Sequence, residues 1–284
     1  MVLIRLLVLG IVASLVQSAA VNPSLRIGAF NVQTFGRSKM SKTHVADILA
    51  KIVVRYDVML LQEIRDISGW AVEELLKLTQ AINPNYNYVI SERLGRSATY
   101  KEEYAYFYRT DRLKVKSTYQ YDDGPDDGTD IFEREPYCVE LEPIDTGKYF
   151  SVCGIHAKPA DVASELTGLV DVYNTIIKAP FSSKNIIIMG DFNADCSYLS
   201  ASKLAVNPLY TGSQFNWLIS SDADTTTSST DCAYDRIVIS GDLLENGFIS
   251  DSAIVYRFDL DYNLDQPEAY EVSDHYPVEA RFQF

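Results

Sequence analysis

The 284-residue chain is 47% hydrophobic and 23% charged, which argues against intrinsic disorder and suffices for one large core. Its 39 acidic residues outnumber 25 basic ones, giving a formal net charge of −14. A field of that sign repels phosphate backbones, so it argues against a passive nucleic-acid binder while allowing an enzyme that uses divalent cations and a few basic contacts.

Residues 1–20 hold one cation, Arg5, then an apolar run over 6–16 and the ending Gln17-Ser18-Ala19-Ala20. The pattern predicts a secretory signal peptide, 1–20, ahead of a single domain, 21–284. A membrane anchor is the rival reading, but the run is short for the ~20 residues that a span requires. The expected product is secreted and extracellular, without stable membrane association.

Strand-like runs over 25–30 and 58–61 alternate with helical periods at Val45, Ile48, Leu49, Ile52 and Val53 and at Val72, Leu75 and Leu76. This is an α/β beginning. Strands are predicted next over 104–108, 114–121, 137–141 and 150–155, then a helix carrying Leu166, Leu169, Val170, Tyr173 and Ile177. A saturated apolar run, 186–189, reads as a buried strand, and two more strands are predicted over 236–239 and 277–282.

Polar residues gather where these strands stop. Asn31, Glu63, His156 and Asp191 each follow an apolar run, Asp235 precedes one, and Ser273-Asp274-His275 leads into the last. A single such residue is ordinarily a cap or a turn, and Gly190-Asp191-Phe192-Asn193-Ala194-Asp195 alone reads as an Asx-rich turn. The coincidence is what points to a shared cleft. The chain has three histidines, and two lie at these ends; His44, near a helix start, reads as a surface residue.

Asn31, Glu63, Asp191, Asn193 and Asp274 are all oxygen donors, a set suited to Mg, Ca or Mn rather than zinc. Two histidines with carboxylate partners can supply a general base and a general acid. Phosphodiester hydrolysis needs this combination: a water loses a proton, phosphate charge is neutralised, and the leaving oxygen is protonated.

Four cysteines remain after signal removal. Cys196 and Cys232 lie in loop-like sequence and are expected to pair, closing a loop of about 36 residues worth roughly 3 to 4 kcal/mol. Cys138 and Cys153 flank residues 143–147 within apolar runs and are read as buried free thiols, with a cross-strand bond as the alternative.

The blocks Ile27-Gly28-Ala29-Phe30-Asn31, Leu61-Gln62-Glu63-Ile64-Arg65-Asp66, Met189-Gly190-Asp191-Phe192-Asn193-Ala194-Asp195-Cys196 and Ser273-Asp274-His275-Tyr276-Pro277 resemble secreted deoxyribonuclease I, of the endonuclease/exonuclease/phosphatase superfamily. Tyr119-Gln120-Tyr121-Asp122-Asp123-Gly124, Arg134-Glu135-Pro136 and Cys232-Ala233-Tyr234-Asp235-Arg236 resemble it too. The likeness runs in register from about Leu25 to the C-terminus. It implies a four-layer α/β sandwich, two mixed β-sheets packed face to face with helices outside, and Mg- and Ca-dependent endonucleolytic hydrolysis of double-stranded DNA with little sequence specificity.

By position, the resemblance implies that Asn31, Glu63, Asp191, Asn193 and Asp274 surround the catalytic cation and scissile phosphate. It makes His156 and His275 the acid and base pair, oriented by Glu102 and Asp235. It places Arg65 and Tyr100 in the DNA minor groove, with Arg134 and Asn193 near phosphates. Structural calcium is implied at Asp224, Thr226 and Thr230, and at Asp123, Asp130, Phe132 (main chain) and Glu135. Asp195 stays a structural turn residue.

Departures from the family are equally specific. Residues 125–129, Pro-Asp-Asp-Gly-Thr, replace a loop with a small disulfide, so the second calcium loop rests on its carboxylates alone. Residues 97–99 are one residue longer than the prototype. Tyr88 and Ile90 fit a strand through which the family binds monomeric actin, while Tyr137 is bulky where that interface has a small residue. The chain is expected to be monomeric. Two alternatives share the fold: hydrolysis of another phosphate ester, against which Arg65, Tyr100 and the calcium loops weigh, and an inactive actin- or protein-binding homologue, against which the filled catalytic positions weigh.

Overall fold

The computed structural model describes residues 24–125, 127 and 129–284. The signal-peptide expectation, and Asp126 and Gly128 of the departing loop, lie outside the described residues. Twelve strands follow in chain order: β1 (Leu25–Phe35), β2 (Val58–Ile64), β3 (Tyr86–Ile90), β4 (Glu103–Arg109), β5 (Leu113–Gln120), β6 (Tyr137–Pro143), β7 (Phe150–Gly154), β8 (Ile186–Asp191), β9 (Asn216–Trp217), β10 (Asp235–Ser240), β11 (Ile254–Val255) and β12 (Val278–Phe282). They form two six-stranded sheets, ordered β11-β12-β1-β2-β4-β3 and β5-β6-β7-β8-β10-β9. Both are mixed: β1 is parallel to β2 and antiparallel to β12, and β7 is parallel to β8, which is antiparallel to β10.

Side-chain alternation explains the layering. Along β1, Ile27 and Ala29 pack with Leu60 of β2 and with Val139, Val152, Ile187 and Met189 of the other sheet, forming the core between sheets. Phe30 and Val32, on the opposite face, pack on Val45, Leu49 and Ile52 of helix Thr43–Val53 and on Val72 and Leu75 of helix Trp70–Ile82. Ile186 and Ile188 of β8 do the same against Leu166, Leu169 and Val172 of helix Val162–Ile176. A period of two on each strand buries both faces. Three apolar interfaces therefore separate four layers, as the resemblance implied. The longer helices and most strands match expectation, whereas the short helices between residues 201 and 272 carry too few apolar turns to be read from periodicity.

Cys138 and Cys153 are disulfide-bonded, correcting their reading as free thiols. They are direct register partners on β6 and β7, with Cα atoms 4.1 Å apart, so the hairpin itself delivers them to each other. Both are fully buried beside helix Val162–Ile176, which is why their sequence surroundings suit a thiol equally well. Cys196–Cys232 is bonded as expected. Tyr137 is 6% exposed and packs in the core between sheets, whereas Tyr88 and Ile90 lie on the edge strand β3.

Thiol titration of the denatured, unreduced protein should find no free cysteine; a count of two would contradict one of the bonds.

Candidate active site

The C-terminal ends of β1, β2 and β8 meet the N-terminal end of β10 and the turn before β12. Two local devices turn the side chains there inward. The pairing of β1 with β2 shifts register between Asn31 and Phe35, and Gln33, Thr34, Glu63 and Asn193 all have positive φ. Bulges re-aim side chains, and non-glycine residues in this region are costly enough to mark functional ground. Gly190, at φ 133°, is required: a Cβ there would lie 2.3 Å from the Ile155 carbonyl oxygen and 2.8 Å from Gln62 Nε2. Gln62 fills that space productively, donating to Ile155 O (2.7 Å) and accepting from Asp191 N (2.9 Å). The two sheets are thereby joined directly beneath Asp191.

Asp191 is 1% exposed. Its Oδ2 accepts from Asn31 Nδ2 (3.1 Å) and lies 3.5 Å from His156 Nε2 and 3.6 Å from His275 Nε2. Each histidine is held from behind: His156 Nδ1 is 2.8 Å from Glu102 Oε2, and His275 Nδ1 is 2.8 Å from Asp235 Oδ2. Asn31 Nδ2 also donates to Glu63 Oε1 (3.0 Å), and Asn193 N donates to Asp191 Oδ1 (2.9 Å). Seven of the residues singled out at strand ends, with Glu102, thus fall into one cluster. Asp274 sits at its rim, Oδ1 3.8 Å from His275 Nε2 with no hydrogen-bond partner.

Electrostatics favours charged imidazoles. Burial and the Arg134 cation both oppose charge on His156, yet Glu102 and Asp191 outweigh them and its pKa lies above the ordinary histidine value. Burial alone would raise Glu102, but His156 and Arg134 hold it at about 2. For His275, burial is again opposed by Asp235 and Asp191, which push it well above the usual value. Arg134 is itself buried and donates twice to the His156 carbonyl (3.0 and 2.9 Å), with Nη1 3.5 Å from Glu102 Oε1. It stands behind the first histidine, not on an open surface.

A cation fits this cluster. Atoms of Asp191, Asp235 and His275 all lie within 4.8 Å of one another, and Asp235 Oδ1 and Asp274 Oδ1 are buried without hydrogen-bond partners. Oxygen-rich donors with unsatisfied lone pairs suit a hard divalent ion.

Of the remaining expected residues, Arg65 stacks on Tyr100, guanidinium 3.8 Å from the ring centre, and Tyr100 is 39% exposed. In the first calcium loop, Thr226 N and Oγ1 donate to Asp224 Oδ1, and Thr226 Oγ1 reaches Thr230 O at 2.5 Å. Thr226 also pairs with His275 in an antiparallel bridge, and Thr227 N donates to Asp274 O (2.9 Å). In the second loop, Asp123 Oδ2 accepts from Ile131 N and Phe132 N while its Oδ1 has no hydrogen-bond partner. Asp130 is ion-paired with Arg96, and the Glu135 carbonyl accepts from Gln120. Asp195 takes the turn role, accepting from Ala233 N. His44 is exposed and paired with Glu271.

Sequence reasoning gave no role to Ser273, which donates to Asn31 O (2.6 Å) and accepts from His275 N, and did not single out Lys39, whose ammonium donates at 2.7 Å to both Val32 O and Val272 O. Val272 lies 233 residues from Lys39 and Asn31 lies 242 from Ser273, so no local pattern announces these two ties.

Residues 28–275 match the Endonuclease/Exonuclease/phosphatase family. The same fold occurs in the human Nocturnin catalytic domain, 17% identical, covering 92% of this chain and 94% of that one at a TM-score of 0.61. It occurs also in a mannosyl-6-phosphatase of Bacteroides thetaiotaomicron, 18% identical, covering 92% of this chain and all of that one, TM-score 0.59. Much nearer in sequence are Deoxyribonuclease-1 of Bos taurus, 42% identical over 275 residues (96% of this chain, 97% of that protein), and of Sus scrofa, 45% identical over 260 residues (90% and 91%). The chain belongs to the endonuclease/exonuclease/phosphatase family and, within it, to the deoxyribonuclease I family.

One buried group beside the cluster titrates in an accessible range. Glu165 is fully buried, its Oε1 accepts from Glu133 N and its Oε2 has no hydrogen-bond partner; burial raises its pKa to about 7. The native state therefore holds a proton that the unfolded chain releases near pH 4.5, and stability falls as pH rises from there through 7, by roughly 3 kcal/mol at most. Glu165→Gln should match the parent near pH 5 and exceed it in thermal stability at pH 8; parallel profiles would refute the assignment.

Proposed function

We propose that the chain is a secreted, divalent-metal-dependent endonuclease that hydrolyses phosphodiester bonds of double-stranded DNA with little sequence specificity. The observation that carries this reading is the convergence of two carboxylate-backed histidines on one carboxylate oxygen, 3.5 and 3.6 Å away. With each Nδ1 engaged by a carboxylate, each Nε2 faces the reacting space. One Nε2 accepts the proton of the attacking water and the other protonates the departing ester oxygen. Glu102 and Asp235 fix ring orientation and favour the charged form of each ring.

Glu63, Asp191 and Asp274, with Asn31 and Asn193, would hold the cation, Mg or Ca with Mn as a further candidate. When bound it supplies Lewis-acid charge neutralisation at the phosphoryl group. Asn31 and Asn193 can also donate to phosphate oxygens. Half-buried Arg65 stacked on exposed Tyr100 forms a planar cationic element suited to a minor groove, where sequence is poorly distinguished. It favours duplex DNA over the other phosphate esters open to this fold. The disulfides, and the absence among the described residues of a helix long and apolar enough to cross a membrane, accord with secretion.

Plasmid nicking with Mg alone, Ca alone and both, alongside a sugar-phosphate substrate, tests the reading. Metal-dependent nicking is expected, and His156→Ala should lower it by about 10²- to 10⁴-fold; full activity in chelator would sink the proposal. Because Thr226 is bridged to His275, calcium bound at its loop should also stabilise the active geometry. Calcium is expected to raise the melting temperature less in Asp224→Ala than in the parent, and an equal rise would remove calcium from that loop.

A further inference from the structure

At the opposite pole of the first sheet, where β1 and β2 begin and β12 ends, lies a second polar cavity of about 210 Å³. It is lined by Arg26, Arg55, Arg109, Arg112 and Arg281, with Asp57. In a chain carrying 39 acidic and 25 basic residues, five guanidinium groups around one hollow run against the overall charge. About five residues of β1 separate Arg26 from Asn31, or ~17 Å at strand rise, so a phosphate there is not one held at the candidate active site.

Ion pairing accounts for part of the cluster. Asp57 accepts from Arg112 Nη1 (2.7 Å) and Arg26 N (2.7 Å), with Arg109 Nη1 at 3.6 Å. Arg109 is also paired with Asp111, and Arg55 binds Glu279 in a fork at 2.7 and 2.8 Å. Three carboxylates thus face five cations. The surplus sits on Arg26 and Arg281. Arg26 Nε is buried without a hydrogen-bond partner and only 3.5 Å from a Glu279 carboxylate already forked by Arg55. Arg281 is exposed, and its side chain makes no ion pair among the described residues. These two arginines are direct register partners on β1 and β12. Like charges directly opposite on antiparallel strands repel, and both flanking residues of each point into the core between sheets, so both side chains share the outer face.

We propose that this cavity is a binding site for a phosphate-type oxyanion, seated between Arg26 and Arg281 with Arg112 and Arg109 at its margin. A tetrahedral dianion offers each fork a bidentate edge, removes the repulsion between the register partners, and fits the volume with water to spare. Partial burial of Arg26, Arg55 and Arg112, at 28, 24 and 15% side-chain exposure, strengthens the attraction over that of free surface arginines. Inorganic phosphate and the terminal phosphate of an oligonucleotide share this chemistry.

The test is calorimetric titration of the secreted protein with inorganic phosphate, and separately with a short 5′-phosphorylated oligonucleotide, both in chelator and at ionic strength matched with NaCl. A saturable site is expected that survives His275→Ala. It should weaken roughly tenfold in Arg281→Gln and in Arg26→Met, while Arg281→Gln nicks plasmid at the parental rate. Tighter binding of the oligonucleotide than of phosphate, with the same loss in the variants, would assign the site to nucleic acid ends. Phosphate heats equal to those of matched chloride, or titrations unchanged in both arginine variants, would overturn the proposal.

Discussion

A single buried negative charge organises the candidate site. Asp191 brings its carboxylate into the crevice between two sheets, where an isolated ion is expensive, and everything around it answers that cost. Asn31 donates to it from the first sheet, Asn193 N from its own turn, and two imidazoles stand within ionic range from opposite sides. Each imidazole then needs its own counter-charge, which Glu102 and Asp235 provide from buried positions. The cluster remains short of positive charge, and that deficit is the physical reason it could hold a divalent cation.

The scaffold makes this arrangement rigid by placing it at strand ends. Gln62 spans the sheets beneath Asp191, Ser273 links β1 to the turn before β12, and Lys39 ties the main chain after Asn31 to that before Asp274. None of these residues faces substrate in the proposed reaction. They hold main chain, and so hold the side chains that do. The left-handed conformations at Glu63 and Asn193 persist because such cross-links over-determine them.

Much of the site was legible because each strand end announces itself where an apolar run meets Asn, Glu, His or Asp, and because the family pattern supplied Glu102, which no strand end marks. Arg134, expected near the phosphates, has its guanidinium buried behind His156, and an Arg-Glu-Pro segment gives no hint of that. Cys138 and Cys153 illustrate a different limit. Their apolar surroundings suit a thiol and a disulfide alike, and only strand register decides between them. The ties from Lys39 to Val272 and from Ser273 to Asn31 were invisible because those partners are remote in sequence. The arginine cavity was hidden for the same reason, its lining being scattered from Arg26 to Arg281.

The Cys196–Cys232 bond has a consequence beyond stability. Cys196 lies five residues past Asp191 and Cys232 three before Asp235, so the bond closes a 36-residue excursion onto the two strand ends that carry facing carboxylates. Without that tie, β8 and β10 are held to each other by their ladder of hydrogen bonds and by the packing of Ile188, Met189, Ile237 and Val238 in the two adjoining cores. A covalent bond outside the β8–β10 ladder thus pins the chain on both sides of the Asp191–Asp235 register pair.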